Sequence, residues 1–139
     1  MNNAKEFLRQ IRKIDILINA KQEEIDRLRS KIVYAGISYE ERTSSSFSSG
    51  KEASILKVIE YEEALNKKID EYIDTKKAVA HIIDQLKNAD YIDILYKRYF
   101  QFMTWEDIAS AKGYTFQWVH KLHARALIEV QKILEREKV

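Results

Sequence analysis

Hydrophobic residues in the first two thirds of the chain recur in alternating steps of three and four, which is the spacing of a helical heptad seam. The first series has one polar member and runs through Phe7, Ile11, Ile14, Ile18, Lys21, Ile25, Leu28 and Ile32. The second series has two polar members and runs through Ile55, Val58, Glu62, Leu65, Ile69, Tyr72, Lys76, Val79, Ile83 and Leu86. The pattern predicts two long amphipathic helices, over residues 3–34 and 51–88.

A serine-rich stretch separates these helices and carries no apolar period. It lies between Gly36 and Gly50. Serine competes with helix formation by bonding to nearby backbone, so we interpret 36–50 as a linker rather than as a phosphorylation target or binding loop. Neither helix can bury its stripe alone. We therefore expect a coiled-coil-like antiparallel hairpin, with pairing between chains as the open alternative.

The polar members of the two seams suggest a register. If the chain folds back at the linker, Lys21 falls near the stretch that begins at Glu62. An ion pair between Lys21 and Glu62 would then fix the pairing, as polar groups in a seam can. The equally weighted alternative is that both long side chains extend outward to solvent.

Residues 89–139 follow a different pattern, with three shorter helices predicted over about 90–101, 105–111 and 116–137. Thr104 begins a sequence typical of a capping box, with Asp107 three residues on. Gly113 suits the left-handed position after a helix, and Thr115 can cap the helix that follows. A short helix, a glycine turn and a longer helix are typical of a helix-turn-helix.

The last helix divides into an inner and an outer face. Val119 and Leu122 are spaced to pack back onto Ile108 and Ala109. The outer face contains the candidate DNA-binding residues Thr115, Phe116, Gln117, Trp118, His120, Lys121 and Arg125, in a window without acidic residues. Gln117 can bond adenine and Lys121 can bond guanine or phosphate. Phe116 and Trp118 can pack on thymine methyls or sugar edges, and burial of Trp118 is an equal alternative.

These residues carry a resemblance to the promoter −35-reading domain of bacterial sigma factors. The matching stretches are Leu95-Tyr96-Lys97-Arg98-Tyr99-Phe100, Thr104-Trp105-Glu106-Asp107-Ile108-Ala109, Gly113-Tyr114-Thr115, Val119, Leu122 and Arg125-Ala126-Leu127. The whole chain, from Ala4–Asp15 through the serine-rich linker, also resembles RinA- and ArpU-like regulators of late genes in phages of Gram-positive hosts. The resemblance implies transcription control at a phage promoter.

The sigma-like resemblance also implies roles for single residues. It places base-reading positions on Phe116, Gln117, His120 and Lys121. It places Thr104 and Trp105 where the first helix of the motif approaches the phosphate backbone. Phe116 and Trp118 stand at positions that are usually basic in sigma factors, so the −35 sequence preference does not carry over. No −10-reading or polymerase-binding domain is recognisable.

Amino-acid composition further limits the folds and functions that the chain could have. The chain has no proline, no cysteine and three glycines in 139 residues, with a net charge of +2. This argues against turn-rich β folds, disulfides and cysteine-based zinc sites. His120 and His123 form a weak metal pair, and no catalytic motif is present. We expect no enzyme activity, no metal and no cofactor. No apolar run is long enough for a membrane span, so we expect a cytoplasmic protein without membrane contact.

The sequence thus predicts an all-α, DNA-binding phage transcription regulator. Residues 1–88 would form the helical hairpin and residues 89–139 the DNA-binding domain. Double-stranded DNA is the expected partner, and homo-oligomers would form through 3–34 and 51–88. Host RNA polymerase is a further candidate partner for the helical region. The alternatives are a DNA-packaging subunit of the small-terminase kind and a protein-binding coiled-coil module.

Overall fold

A computed structural model describes residues 3–42 and 48–137, and side chains within 3–31 and 53–137. All elements in these ranges are helical, as the hydrophobic pattern predicts. The helices are α1 (Asn3–Arg42), α2 (Ser48–Asp84), α3 (Ala89–Leu95), α4 (Trp105–Lys112) and α5 (Phe116–Glu137), with a π-helical turn at Tyr96–Phe100 after α3. Within the described ranges, no helix has the length and apolar character that crossing a membrane requires.

The ends of the long helices differ from the predicted linker 36–50. Helix α1 continues through Gly36 to Arg42, and α2 begins at Ser48. Only residues 43–47 of the predicted linker lie outside the described residues. One glycine in a long helix costs only about 1 kcal/mol, which the helix-forming residues around it can offset. Gly36 is therefore a helical residue of α1.

Contacts divide the chain into two compact units, Met1–Asp15 with Asp74–Val139, and Ile16–Ile73. In the second unit, α1 and α2 share a small core of Ile25, Leu28, Leu65 and Ile69. Arg29 Nε donates to Glu62 Oε1 at 2.8 Å beside this core. The predicted pairing of Lys21 with Glu62 is therefore wrong, because Arg29 takes the carboxylate.

The larger core belongs to the first unit. It combines residues of α1, α2, the segment between α2 and α3, α3, the π-helical turn and α5: Ala4, Leu8, Ile11, Val79, Ile82, Ile83, Leu86, Leu95, Tyr99, Ala126, Val130 and Ile133. Ala4 and Leu8 lie outside the predicted seam, yet they are buried because α1 here borders α5 as well as α2. Consistently, the Ala4 backbone N–H donates to Gln131 Oε1 at 2.9 Å. The C-terminal helices thus share a core with the first turns of α1.

A second polar seam position is also ion-paired. Lys76 Nζ lies 2.7 Å from Asp15 Oδ1, and both side chains are partly buried. The same ammonium lies 5.8 Å from the centre of the Phe100 ring. Lys76 therefore links α1, α2 and the π-helical turn within the first unit.

Candidate nucleic-acid interface

The start of α4 is fixed by its cap. Thr104 has extended backbone angles, and its hydroxyl accepts a hydrogen bond from the Asp107 N–H at 3.1 Å. This satisfies one of the free N–H groups of the first turn. The predicted threonine cap is confirmed, and Thr104 itself is exposed.

The turn between α4 and α5 depends on Gly113. Its φ of 67° and ψ of 30° place it in the left-handed region, as the sequence predicts. The next residue, Tyr114, returns its N–H to the Ala109 carbonyl at 3.0 Å. Thr115 then accepts a hydrogen bond from the Trp118 N–H at 3.1 Å and caps α5. Residues 113–115 therefore form the turn between the helices. The Tyr114 N–H bonds a carbonyl at the end of α4, and the Thr115 hydroxyl bonds an N–H at the start of α5.

A compact apolar core holds the two helices against α3. It consists of Ile94, Ile108, Ala109, Val119 and Leu122. The predicted return contacts of Val119 and Leu122 are confirmed. Between these two residues on α5, Lys121 is exposed whereas His120 is half-buried.

A polar cluster joins the end of α4 to α3. Lys112 Nζ lies 3.0 Å from Asp90 Oδ1 and 2.6 Å from Asp93 Oδ2, while the Tyr114 hydroxyl donates to Asp90 Oδ2 at 2.9 Å. Hydrogen bonds from Lys112 and Tyr114 lower the pKa of Asp90. Burial alone would raise the pKa of Asp93, but Lys112 and Lys97 outweigh it and the pKa is lowered. Sequence reasoning missed this cluster because its members are far apart in the chain.

An aromatic cluster lies between the first turns of α4 and α5. The His120 ring centre is 4.6 Å from that of Trp105 and 4.4 Å from that of Phe116. On the other side of Trp105, the Arg98 guanidinium lies 4.3 Å from the ring centre. His120 Nε2 is buried and has no hydrogen-bond partner among the residues that the structure describes. The ring of His120 therefore packs against both Phe116 and Trp105.

His123, one turn further along α5, is buried. Its Nε2 is 2.7 Å from the Tyr99 hydroxyl oxygen, a hydrogen-bond distance. Burial lowers the pKa of His123 to about 4, and the charges of Lys5 and Arg98 add to this effect. Burial likewise raises the pKa of Tyr99 to about 12. His123 is thus a neutral core residue whose Nε2 is within hydrogen-bond distance of Tyr99. Within the described ranges, no group of three possible metal-ligating side chains occurs.

The structure brings the predicted site residues together at one end of α5. Seven are exposed: Thr104, Thr115, Phe116, Gln117, Trp118, Lys121 and Arg125. Trp105 and His120 are half-buried. Trp118 is 39% exposed, and the Arg125 guanidinium lies 5.4 Å from its ring centre. Trp118 is therefore not buried against α4.

Comparison of the chain with protein-family models, with curated proteins and with solved structures gives no match.

Proposed function

We propose that this protein is a sequence-specific DNA-binding transcription regulator in which α4 and α5 form a helix-turn-helix. The observation that carries the proposal is the outer face of α5. In its first three turns, Gln117, Lys121 and Arg125 are exposed while Val119 and Leu122 are buried. No acidic residue occurs in α5 before Glu129. A rigid, exposed, cationic helix start suits the major groove of DNA.

Each exposed group has a role in this proposal. Gln117 reads a base edge with its amide, and Lys121 bonds guanine or a phosphate. The hydroxyls of Thr104 and Thr115 lie at helix N-termini. The first turn of α5 has no acidic residue, so the N-terminus at Thr115 favours a phosphate. Phe116 and Trp118, 42% and 39% exposed, pack on thymine methyls or sugars. His120 positions Phe116, because its buried Nε2 is turned away from solvent.

The role in transcription rests on the resemblance to sigma −35-reading domains and to phage late-gene regulators. The capped α4, the left-handed glycine and the buried return contacts fit the same motif and so support it. We therefore assign the protein to control of a phage promoter in the bacterial cytoplasm, with double-stranded DNA as its ligand.

The test begins with selection of bound duplexes from a random pool, followed by titration of single variants. Gln117→Ala should relax preference at one base position at a cost of about 1–3 kcal/mol. Lys121→Ala, if Lys121 contacts phosphate, should weaken binding to all duplexes and lower the salt dependence by about one contact. Lys132→Ala is the matched control, because Lys132 is exposed on the same helix beyond the proposed contact face. Equal effects of Lys121→Ala and Lys132→Ala would contradict the proposal.

A second copy of the chain is the proposed partner of the long helices. The ion pairs Asp15–Lys76 and Arg29–Glu62 support antiparallel pairing of α1 and α2. This pairing leaves Leu56 and Ile59 of α2 58% and 41% exposed, and burial of this apolar surface would favour association with a second copy. Light scattering of the wild type and of Leu56→Ser/Ile59→Ser tests this. A dimer or tetramer that dissociates in the variant agrees with regulation, whereas a large ring would favour a packaging subunit.

A further inference from the structure

A row of basic side chains near the start of α1 lies beside the proposed helix-turn-helix. Lys5, Arg9 and Arg12 follow one another at intervals of four and three residues, so they share one face of the helix. Arg9 and Arg12 are exposed, and Lys5 is half-buried. We call these three residues the α1 basic strip.

Contacts place the strip next to the entry into α4. The Arg12 guanidinium lies 5.3 Å from the ring centre of Phe102, two residues before the Thr104 cap. Lys5 is close enough to His123 for its charge to help lower the pKa of that histidine. Arg9 has a corresponding electrostatic effect on the pKa of Tyr99. Arg12 thus lies beside the loop that leads into α4, and Lys5 and Arg9 precede it on the same face of α1.

The loop at this point is held in one conformation. Phe102 has a φ of 58°, which non-glycine residues seldom adopt. Arg98 donates to the Met103 carbonyl at 2.9 Å and lies over Trp105. The Met103 N–H bonds the Lys97 carbonyl at 3.0 Å. These bonds tie the loop before the α4 cap to the π-helical turn, and Arg12 contacts the same loop at Phe102.

The charge of α4 itself explains what the strip would add. Its first turn contains Glu106 and Asp107, both exposed, and no basic residue. A phosphate at the Thr104 cap would therefore meet two carboxylates on α4. Arg12, beside Phe102, and Arg9 are exposed cationic groups of the strip. Among the described residues, the acidic contact of the strip is that of Arg9 with Glu6, at 3.4 Å. A contact between two such exposed side chains is weak and easily exchanged for another anion.

We propose that the α1 basic strip is a second DNA-contacting surface, which binds the phosphate backbone flanking the segment read by α5. The inference rests on the proposed function and extends it to the opposite end of the sequence. The shared core of α1 and α5, with Ala4 bonded to Gln131, fixes the strip relative to the recognition helix. Because phosphates are the same in all sequences, the strip adds affinity and not specificity.

The experiment titrates a random-sequence 40-base-pair duplex at several salt concentrations. Arg9→Gln/Arg12→Gln should reduce the steepness of log Kd against log salt by about 1.8, because each lost phosphate contact removes about 0.9. The variant should bind at least about tenfold more weakly at 50 mM salt, and this deficit should shrink about tenfold by 200 mM. Arg9→Lys/Arg12→Lys should retain most of the binding.

Lys57→Gln/Lys67→Gln is the charge-matched control, because both lysines are exposed on α2 in the other compact unit. If the two double variants lose equal affinity, the strip acts only through net charge and the inference is wrong. If wild type binds and Lys121→Ala weakens it while the strip variant does not, the proposed function survives and this inference alone fails. If the wild-type protein does not bind duplex DNA, both are overturned.

Discussion

Acidification from pH 7 to pH 5 should destabilise the first compact unit through His123. In the folded chain this histidine of α5 is neutral and lies against Tyr99, because burial lowers its pKa from 6.5 to about 4. In the unfolded chain it takes up a proton near pH 6.5. Between these two values the unfolded state binds more protons, so stability falls as the pH falls.

The size of the effect follows from the two pKa values. At pH 5 the unfolded histidine is almost fully protonated and the folded one is mostly neutral. Linkage then gives a loss of about 2 kcal/mol between pH 7 and pH 5, and about 3 kcal/mol once the pH is below 4. This is a large share of the typical 5–15 kcal/mol of a folded domain. Asp90 and Asp93, whose pKa values lie below 3.8, stay ionised through this window, and their contribution is lost only at lower pH.

Urea unfolding followed by tryptophan fluorescence measures this loss. Both tryptophans lie in the first unit, and the ring centre of Trp105 is 4.5 Å from that of His123. His123→Gln keeps a hydrogen-bonding group for Tyr99 and removes the titrating ring. Its free energy of unfolding should therefore change much less between pH 7 and pH 5 than that of the wild type. His81→Gln, at an exposed position on α2, controls for the loss of a histidine.

Two results would refute the reasoning. The first is a wild-type free energy of unfolding that is equal at pH 7 and pH 5. The second is a His123→Gln variant that retains the full wild-type decrease, because another group would then be responsible.

Three further predictions concern the helix ends and can be checked by urea unfolding. Gly113→Ala should lower the free energy of unfolding by about 1–2 kcal/mol through backbone strain alone, since an added Cβ meets no atom within 4 Å. Gly36→Ala, within α1, should instead raise it by about 0.5–1 kcal/mol. Effects of the same sign would contradict the left-handed conformation of Gly113 or the helical conformation of Gly36. Thr104→Ala should lower the free energy of unfolding by about 1 kcal/mol and Thr104→Ser much less. Equal losses from the two changes would show that the hydrogen bond of the cap does not stabilise the protein. Lys112→Met should lower the free energy of unfolding by about 2 kcal/mol. The reason is that the Lys112 side chain is only 11% exposed and is the cation that Asp90 and Asp93 share. Lys132→Met, at an exposed lysine on α5, should have little effect.

Local signals in the sequence predicted the helices and the residues at which α4 and α5 begin. The threonine caps, the left-handed Gly113 and the inward-facing Val119 and Leu122 depend on residues within a few positions of one another. Such features are readable because helix periodicity and capping are local. The exposure of Gln117, Lys121 and Arg125 follows from the same periodicity.

Other features involve residues too far apart for periodicity to connect. The partner of Glu62 is Arg29, thirty-three positions away, whereas the seam pattern suggested Lys21. Gly36 and the serines suggested a break, but α1 continues past Gly36 because one weak residue does not outweigh its neighbours. The distant partner of Lys112 in α3 likewise had no sequence signal.

The sequence by itself determined that the chain is helical, where α4 and α5 begin, and which face of α5 is polar. Only the tertiary structure decided that α5 packs on the first turns of α1, which buries Ala4 and Leu8, and that Arg12 lies beside Phe102. It also decided that His123 is a neutral core residue while Lys121, two positions away, is exposed. The physical reason is that burial, and with it the pKa of a histidine or the neighbourhood of a cation, depends on elements brought together from opposite ends of the chain.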